Sequence, residues 1–197
     1  KDAFVRVSPR DPRYFELSNG HPFIPNGVNM IHPEGPAHMT EAQGWGLMQS
    51  WMDQLSENGG NMTRIWLNTP FWDIESKQAG VYDETMAKRV DRVFQMLREH
   101  NLRAMFCIES FRSFGAPTTR PMWYWKTVHD VKNGGTATSV RDWFENPASR
   151  KQFLGKLDYY KNRYGDRPEV FAWELWNEED CVFETPREVW LPWTQDM

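Results

Sequence analysis

Apolar residues recur along this chain in two alternating patterns, and that alternation sets the first expectation about its fold. Over 41–58 the residues Met48, Trp51, Met52 and Leu55 fall at i, i+3, i+4 and i+7, the spacing of one helix face, and Gly59-Gly60 ends the run as a helix C-terminus does. A second helix is expected after Asp83, which can cap a turn carrying Val90, Val93, Phe94 and Leu97 at the same spacing. A third follows Asn146-Pro147, an N-cap and first-turn proline, with Phe153, Leu154, Leu157 and Tyr160 on its inner face and Gly165 beyond its end. Short apolar runs over 22–29, 61–67, 103–108 and 170–176 read as strands between these helices, and 190–197 reads as the opening of a fourth helix. Near the N-terminus, the extended runs 4–7 and 14–17 are separated by Ser8-Pro9-Arg10-Asp11-Pro12-Arg13 and followed by Ser18-Asn19-Gly20, which suits a small hairpin.

The order βαβαβαβ implies a parallel sheet, because a parallel neighbour is reached only through a crossover. In such sheets ligands bind at the strands' C-terminal edge. A closed (β/α)8 barrel needs roughly 250 residues. The 197 residues here fit about four βα units. The segment 109–145 is long, rich in Gly, Pro, Thr and aromatics, and shows no sustained period, the mark of a functional loop.

Composition removes several function classes. The chain is 40% hydrophobic and 25% charged, which excludes a collagen-like, coiled-coil or disordered protein. With 23 Lys and Arg against 27 Asp and Glu there is no basic excess, so no nucleic-acid partner is expected. No apolar run is long enough to span a membrane and no leader is visible. Cys107 and Cys181, far apart, make no disulfide scaffold. No His, Asp and Glu grouping has metal-ligand spacing, and there is neither a phosphate loop nor a Gly-x-Ser-x-Gly elbow, so no cofactor and no catalytic metal is expected. The chain does carry 11 tryptophans, many in segments that read as loops, and indoles outside a core suit a flat ligand.

The fourth strand ends Trp173-Glu174-Leu175-Trp176-Asn177-Glu178, which puts an amide and a carboxylic acid at the ligand-binding edge. Apolar walls from Trp173 and Trp176 would disfavour the charged carboxylate and leave Glu178 able to donate a proton, while Asn177 offers the donor and acceptor that hold a sugar hydroxyl. The bland alternative is that Glu178-Glu179-Asp180 is a solvated acidic loop.

That hexapeptide resembles the acid/base signature of the (β/α)8 retaining glycoside hydrolases of clan A, most closely family 5 and its relatives. Asn19-Gly20-His21-Pro22-Phe23-Ile24-Pro25-Asn26-Gly27-Val28-Asn29 looks like the group's entry hairpin and first barrel strand, and Asn61-Met62-Thr63-Arg64-Ile65-Trp66 like its second strand. The resemblance covers nearly the whole chain and implies an α/β fold of (β/α)8 TIM-barrel type with about the first four βα units present. It divides the chain into a hairpin cap over 1–22 and the N-terminal half of a catalytic barrel over 23–197.

The resemblance further implies a double displacement in which one carboxyl protonates the leaving oxygen while a second, about 5–5.5 Å away, attacks the anomeric carbon. Glu178 would be the acid/base, Asn177 the partner of the sugar 2-hydroxyl, and Arg64 a neighbour of the nucleophile, for which no residue of this chain corresponds. Two features depart from the pattern. Glu179 stands where many members have proline, and the third strand ends Ile108-Glu109-Ser110 rather than on the histidine of the cellulase-like branches.

Other candidates follow from position. Trp66 and Trp176, at strand ends, are the expected stacking faces for pyranose rings, with Trp72, Trp123 and Trp125 behind them. Asn29, His32 and His129 are expected near substrate. Glu109 would either bind sugar hydroxyls or pair with Arg64, Glu174 reads as a structural carboxylate, and Trp45 and Trp51 fit the first helix's apolar side. The expected partners are a β-linked oligosaccharide or polysaccharide of mannan or glucan type and a complementary C-terminal half-barrel or a second copy, since a half-barrel leaves strand edges open. Such substrates place the parent protein outside the cytoplasm, secreted or periplasmic. The alternative function is a non-catalytic carbohydrate-binding protein with an aromatic cleft. A third reading is an unrelated parallel α/β enzyme.

Overall fold

The structure is a computed structural model that describes residues 2–33, 39–114, 126–179 and 185–197. Trp123, Trp125 and Cys181 lie outside the described residues. The chain gathers into two compact units, one of Lys1–Trp66, Arg89–Phe106 and Tyr164–Trp173, the other of Leu67–Lys88, Cys107–Arg163 and Glu174–Met197.

In the first unit, β1 (Val5–Val7), β2 (Phe15–Leu17) and β3 (Pro22–Phe23) form an antiparallel sheet in that order, with Val5 opposite Leu17 and Phe15 opposite Phe23. The expected hairpin is present, but Pro22-Phe23 belongs to it rather than to the next strand. Pro25 lies at the break, as a residue that cannot donate to a ladder should. β4 (Gly27–Ile31) then runs parallel to β5 (Met62–Trp66), Gly27 opposite Met62 and Asn29 opposite Arg64, with an irregularity between Asn29 and Ile31. A Cβ on Gly27 would stand 1.5 Å from the Met62 carbonyl oxygen, so only glycine permits this close approach.

Between these strands, α1 (Glu41–Glu57) starts at a capping box in which the Thr40 hydroxyl accepts from the Gln43 N–H and the Gln43 side chain accepts from the Thr40 N–H. It buries Trp45, Met48 and Met52, and Gly59 follows its end at φ 78°. Further along, α2 (Glu84–Glu99) buries Val90, Val93, Phe94 and Leu97, the face its spacing predicts.

β6 (Arg103–Ser110) pairs with β5. Its Arg103 N–H reaches the Asn61 carbonyl at 2.9 Å, and the Leu67 N–H reaches the Cys107 carbonyl at 2.8 Å. Partner numbers rise together along both chains, so the pair is parallel. β7 (Val170–Asn177) follows beside β6, giving the sheet order β4-β5-β6-β7. In the first unit Phe94 is stacked between Phe106, 4.7 Å away by ring centroid, and Tyr164, 4.2 Å away, while the Tyr164 hydroxyl donates to Asp91 at 2.7 Å.

The second unit contains α3 (Val140–Glu145), α4 (Pro147–Tyr164) up to Arg163, and α5 (Arg187–Asp196). α3 lies inside the expected loop. At six residues it is too short to display a period, although Ser139 caps it by accepting from the Asp142 N–H. α4 begins as predicted, with the Asn146 side chain accepting from the Ala148 N–H at 2.8 Å. Its inner face differs, because Phe153, Lys156 and Tyr160 are buried while Leu154 is exposed. The core is aromatic. The Trp143 ring lies 5.2 Å from both Phe114 and Trp176 and 5.6 Å from Trp193.

Two predictions follow from the first unit. Phe94→Ala should cost about 3–5 kcal/mol in denaturant unfolding, the range for deleting a fully packed phenyl ring. The His100 imidazole has Nδ1 2.7 Å from the Met96 carbonyl and Nε2 2.7 Å from Asp53. Burial works to lower its pKa, but these two acceptors, each satisfied only by an N–H, outweigh it and raise the value above 6.5. A raised folded value means that the stability it confers is fully present below about 6.5 and is lost as pH rises through the folded value. An NMR titration should therefore find the His100 midpoint above 6.5, and lower in Asp53→Asn.

Candidate active site

β7 ends on Asn177, which is buried, and Glu178 follows it, exposed, at φ 57°. A non-glycine residue rarely takes this left-handed region, and such outliers concentrate at functional sites. Among the described residues none donates a hydrogen bond or ion pair to Glu178. Because Glu178 is exposed, the apolar enclosure expected of Trp173 and Trp176 is not provided by the described residues. Trp176 packs 5.2 Å from each of Phe114, Trp143 and Phe144 and is almost wholly buried, so it is a core residue and not a stacking face for sugar. Burying an indole among rings is worth several kcal/mol, at roughly 25 cal/mol per Å2 over 150–250 Å2, which is why the side chain turns inward.

In the first unit the strand pairing sets Asn29, exposed, opposite Arg64, half-buried. The Arg64 guanidinium lies 5.4 Å from the Trp66 ring centroid, and Trp66 itself is buried, so this indole is engaged by a cation rather than offered to a ligand. β4 closes on Ile31 at φ 50°, which a β-branched residue seldom adopts. His32, expected in an open rim loop, is buried. Trp72, the weaker stacking candidate, is fully buried too.

The second unit also corrects the reading of Glu109 and His129. Glu109, at the end of β6, is fully buried, and its carboxylate accepts from the Lys156 ammonium and the Ser113 hydroxyl, so Arg64 is not its partner and no oxygen is presented to solvent. Lys156 also lies 3.3 Å from Glu75 and 4.0 Å from Asp73. The other Glu75 oxygen accepts from the Gly80 N–H at 2.6 Å, fastening the loop after β5. His129 packs edge-on to Phe114 and Trp143, at 5.9 and 5.7 Å, and is buried rather than open.

Burial governs the ionisation of this cluster. Desolvation pushes Asp73 up to about 6 against the pull of Lys156. It raises Glu109 as well, again opposed by Lys156. Burial would lower Lys156, but Glu109, Glu75 and Asp73 prevail and raise it well above its usual value. Loss of solvent takes His129 down to about 4, leaving a neutral imidazole at physiological pH.

Asp73, Glu75 and Lys156 were not legible as site residues. The only trace in the sequence is a lysine three residues after Phe153 and four before Tyr160, on the helix's apolar face. The structure thus brings together Asn29, Arg64 and Trp66 in one unit, and Asp73, Glu75, Glu109, His129 and Lys156 in the other, where Asn177 and Glu178 end β7.

Comparison with known proteins extends this picture. No family model matches the chain. It is 28% identical over 158 residues to mannan endo-1,4-beta-mannosidase 4 of Oryza sativa subsp. japonica, covering 77% of this chain and 34% of that protein. It is 22% identical over 194 residues to mannan endo-1,4-beta-mannosidase 5 of Arabidopsis thaliana, covering 87% and 44%. Among solved structures it superposes on the exo-beta-1,4-mannosidase Op5Man5 of Opitutaceae bacterium strain TAV5 with a TM-score of 0.66 at 18% identity, over 93% of this chain and 30% of that one. For the glycoside hydrolase family 5 mannosidase of Rhizomucor miehei the TM-score is 0.64 at 18% identity, over 95% and 51%. The chain spans less than half the length of the curated relatives it matches. The fold is a partial (β/α)8 barrel.

Removing the one ammonium that the described residues place in this group should be costly. Lys156→Met is expected to lower stability by about 3–5 kcal/mol in urea unfolding, because it leaves buried carboxylates without their counter-charge. A loss under about 1 kcal/mol would show that Lys156 does not hold them.

Proposed function

Because the chain resembles the N-terminal half of the family 5 branch of clan A glycoside hydrolases, we propose that it supplies the acid/base half of a retaining β-glycosidase. The observation that carries this reading is the pair Asn177-Glu178 at the C-terminal end of β7, in a chain whose likeness to named mannosidases spans most of its length. Glu178 protonates the glycosidic oxygen as the bond breaks and later takes the proton of the attacking water. Asn177, buried beside it, holds the sugar 2-hydroxyl, and Asn29, exposed within β4, offers a further polar contact. Arg64 faces the nucleophilic carboxylate, which a complementary C-terminal half contributes.

The same partner supplies the apolar wall that Glu178 lacks among the described residues. The substrate we favour is a β-linked mannan, since the relatives named above are mannan endo-mannosidases and mannosidases. Polysaccharide of that kind is met outside the cytoplasm, so the parent protein is secreted or periplasmic. No described helix is long and apolar enough to cross a membrane.

The test is an aryl β-mannoside assay of the chain mixed with a C-terminal half carrying strands five to eight. Turnover should appear only in the mixture and should fall by about 10²–10⁴-fold in Glu178→Gln, the usual contribution of a general acid. Turnover indifferent to that substitution would overturn the assignment, and mannan binding without any turnover would mark a carbohydrate-binding protein instead.

A further inference from the structure

Among the described residues, the group behind β6, buried except for a half-buried Asp73, is short of positive charge. Asp73, Glu75 and Glu109 present three carboxylates to one ammonium, that of Lys156, leaving a surplus of two negative charges when all are ionised. Uncompensated charge in a site shielded from water is expensive. A second deficit lies beside the first. His129 is 4% exposed, and its Nδ1 is buried with no hydrogen-bond partner among the described residues. One ligand atom each from Glu75, Glu109 and His129 lies within 4.8 Å of the others.

We propose that Glu75, Glu109 and His129 bind one divalent cation of the zinc or manganese class, which locks the loop after β5 and the residues around 129 against the end of β6. A single divalent ion removes the surplus of two charges and gives the imidazole its missing partner. The donor set, two carboxylates and a nitrogen, suits borderline metals better than calcium or magnesium, which favour all-oxygen shells. Lys156 does not block it. The two glutamates have four oxygens with about eight lone-pair sites, and among the described residues four donor contacts engage them: Lys156 on each carboxylate, Gly80 on Glu75 and Ser113 on Glu109. Sequence spacing gives no sign of the site because each ligand comes from a different loop or strand end. The role is structural and is independent of the glycosidase reading, since none of the three residues is assigned to the sugar chemistry.

The experiment uses the full chain, stripped with chelator and dialysed. ZnCl2 and MnCl2 are titrated in thermal unfolding, MgCl2 and CaCl2 serve as controls, and bound metal is counted by elemental analysis. One zinc or manganese per chain with a raised melting temperature is expected. Affinity should fall about tenfold or more in His129→Gln and in Glu75→Gln. No binding by the wild-type chain would overturn the proposal, as would equal binding by wild type and His129→Gln, which would reveal adventitious surface sites only. Elemental analysis of the wild type decides the matter even where Glu75→Gln fails to fold.

Discussion

A parallel strand cannot be joined to its neighbour by a tight turn, and this constraint organises the whole sheet. Each of β4, β5 and β6 must be followed by a crossover before the next strand can be laid down, and each crossover here contains a helix. Residues at the C-terminal ends of parallel strands are consequently the ones free of the ladder and available for chemistry. Trp66, Glu109, and Asn177 with Glu178 lie at or just beyond such ends. Gly27 shows how closely the pairing is made, since a single methyl group there would collide with the neighbouring strand.

Burial then decides which of those residues remain available. An indole gains more from a packed aromatic cluster than from waiting at the surface, so Trp176 and Trp72 are core, and Trp66 is shielded with the Arg64 guanidinium against it. Glu109 is withdrawn by a lysine that enters the core from the middle of α4. Among the candidate site residues, the two that stay exposed are polar: Asn29 within β4 and Glu178 just after β7. Left-handed backbone at Ile31 and Glu178 marks the same two strand ends, β4 and β7, as places where geometry takes precedence over local preference.

Much of the fold was legible because local signals agreed with one another. The capping residue, the helical spacing and the glycine stop all bounded α1, and Asn146-Pro147 fixed the start of α4. The sequence was ambiguous where one residue of phase matters. A shift of one position turns a helix face by about 100°, so reading Leu154 as inward hid Lys156, the residue that organises the buried cluster. The division of 22–31 into two strands of different sheets depended on which ladder each piece joined, a tertiary choice. The candidate acid/base was legible from its motif and strand position. Its surroundings were not, because enclosure is a property of what packs around a residue rather than of its neighbours in sequence.

The proposed glycosidase role requires the end of β7 to meet a sugar chain, and a ligand-perturbation experiment reads that directly. With the backbone amides assigned by NMR, mannotetraose should shift the signals of residues 177 and 178 together with a common dissociation constant. Shifts confined to the antiparallel strands of residues 5–23, or no saturable shift at 177 and 178, would contradict it.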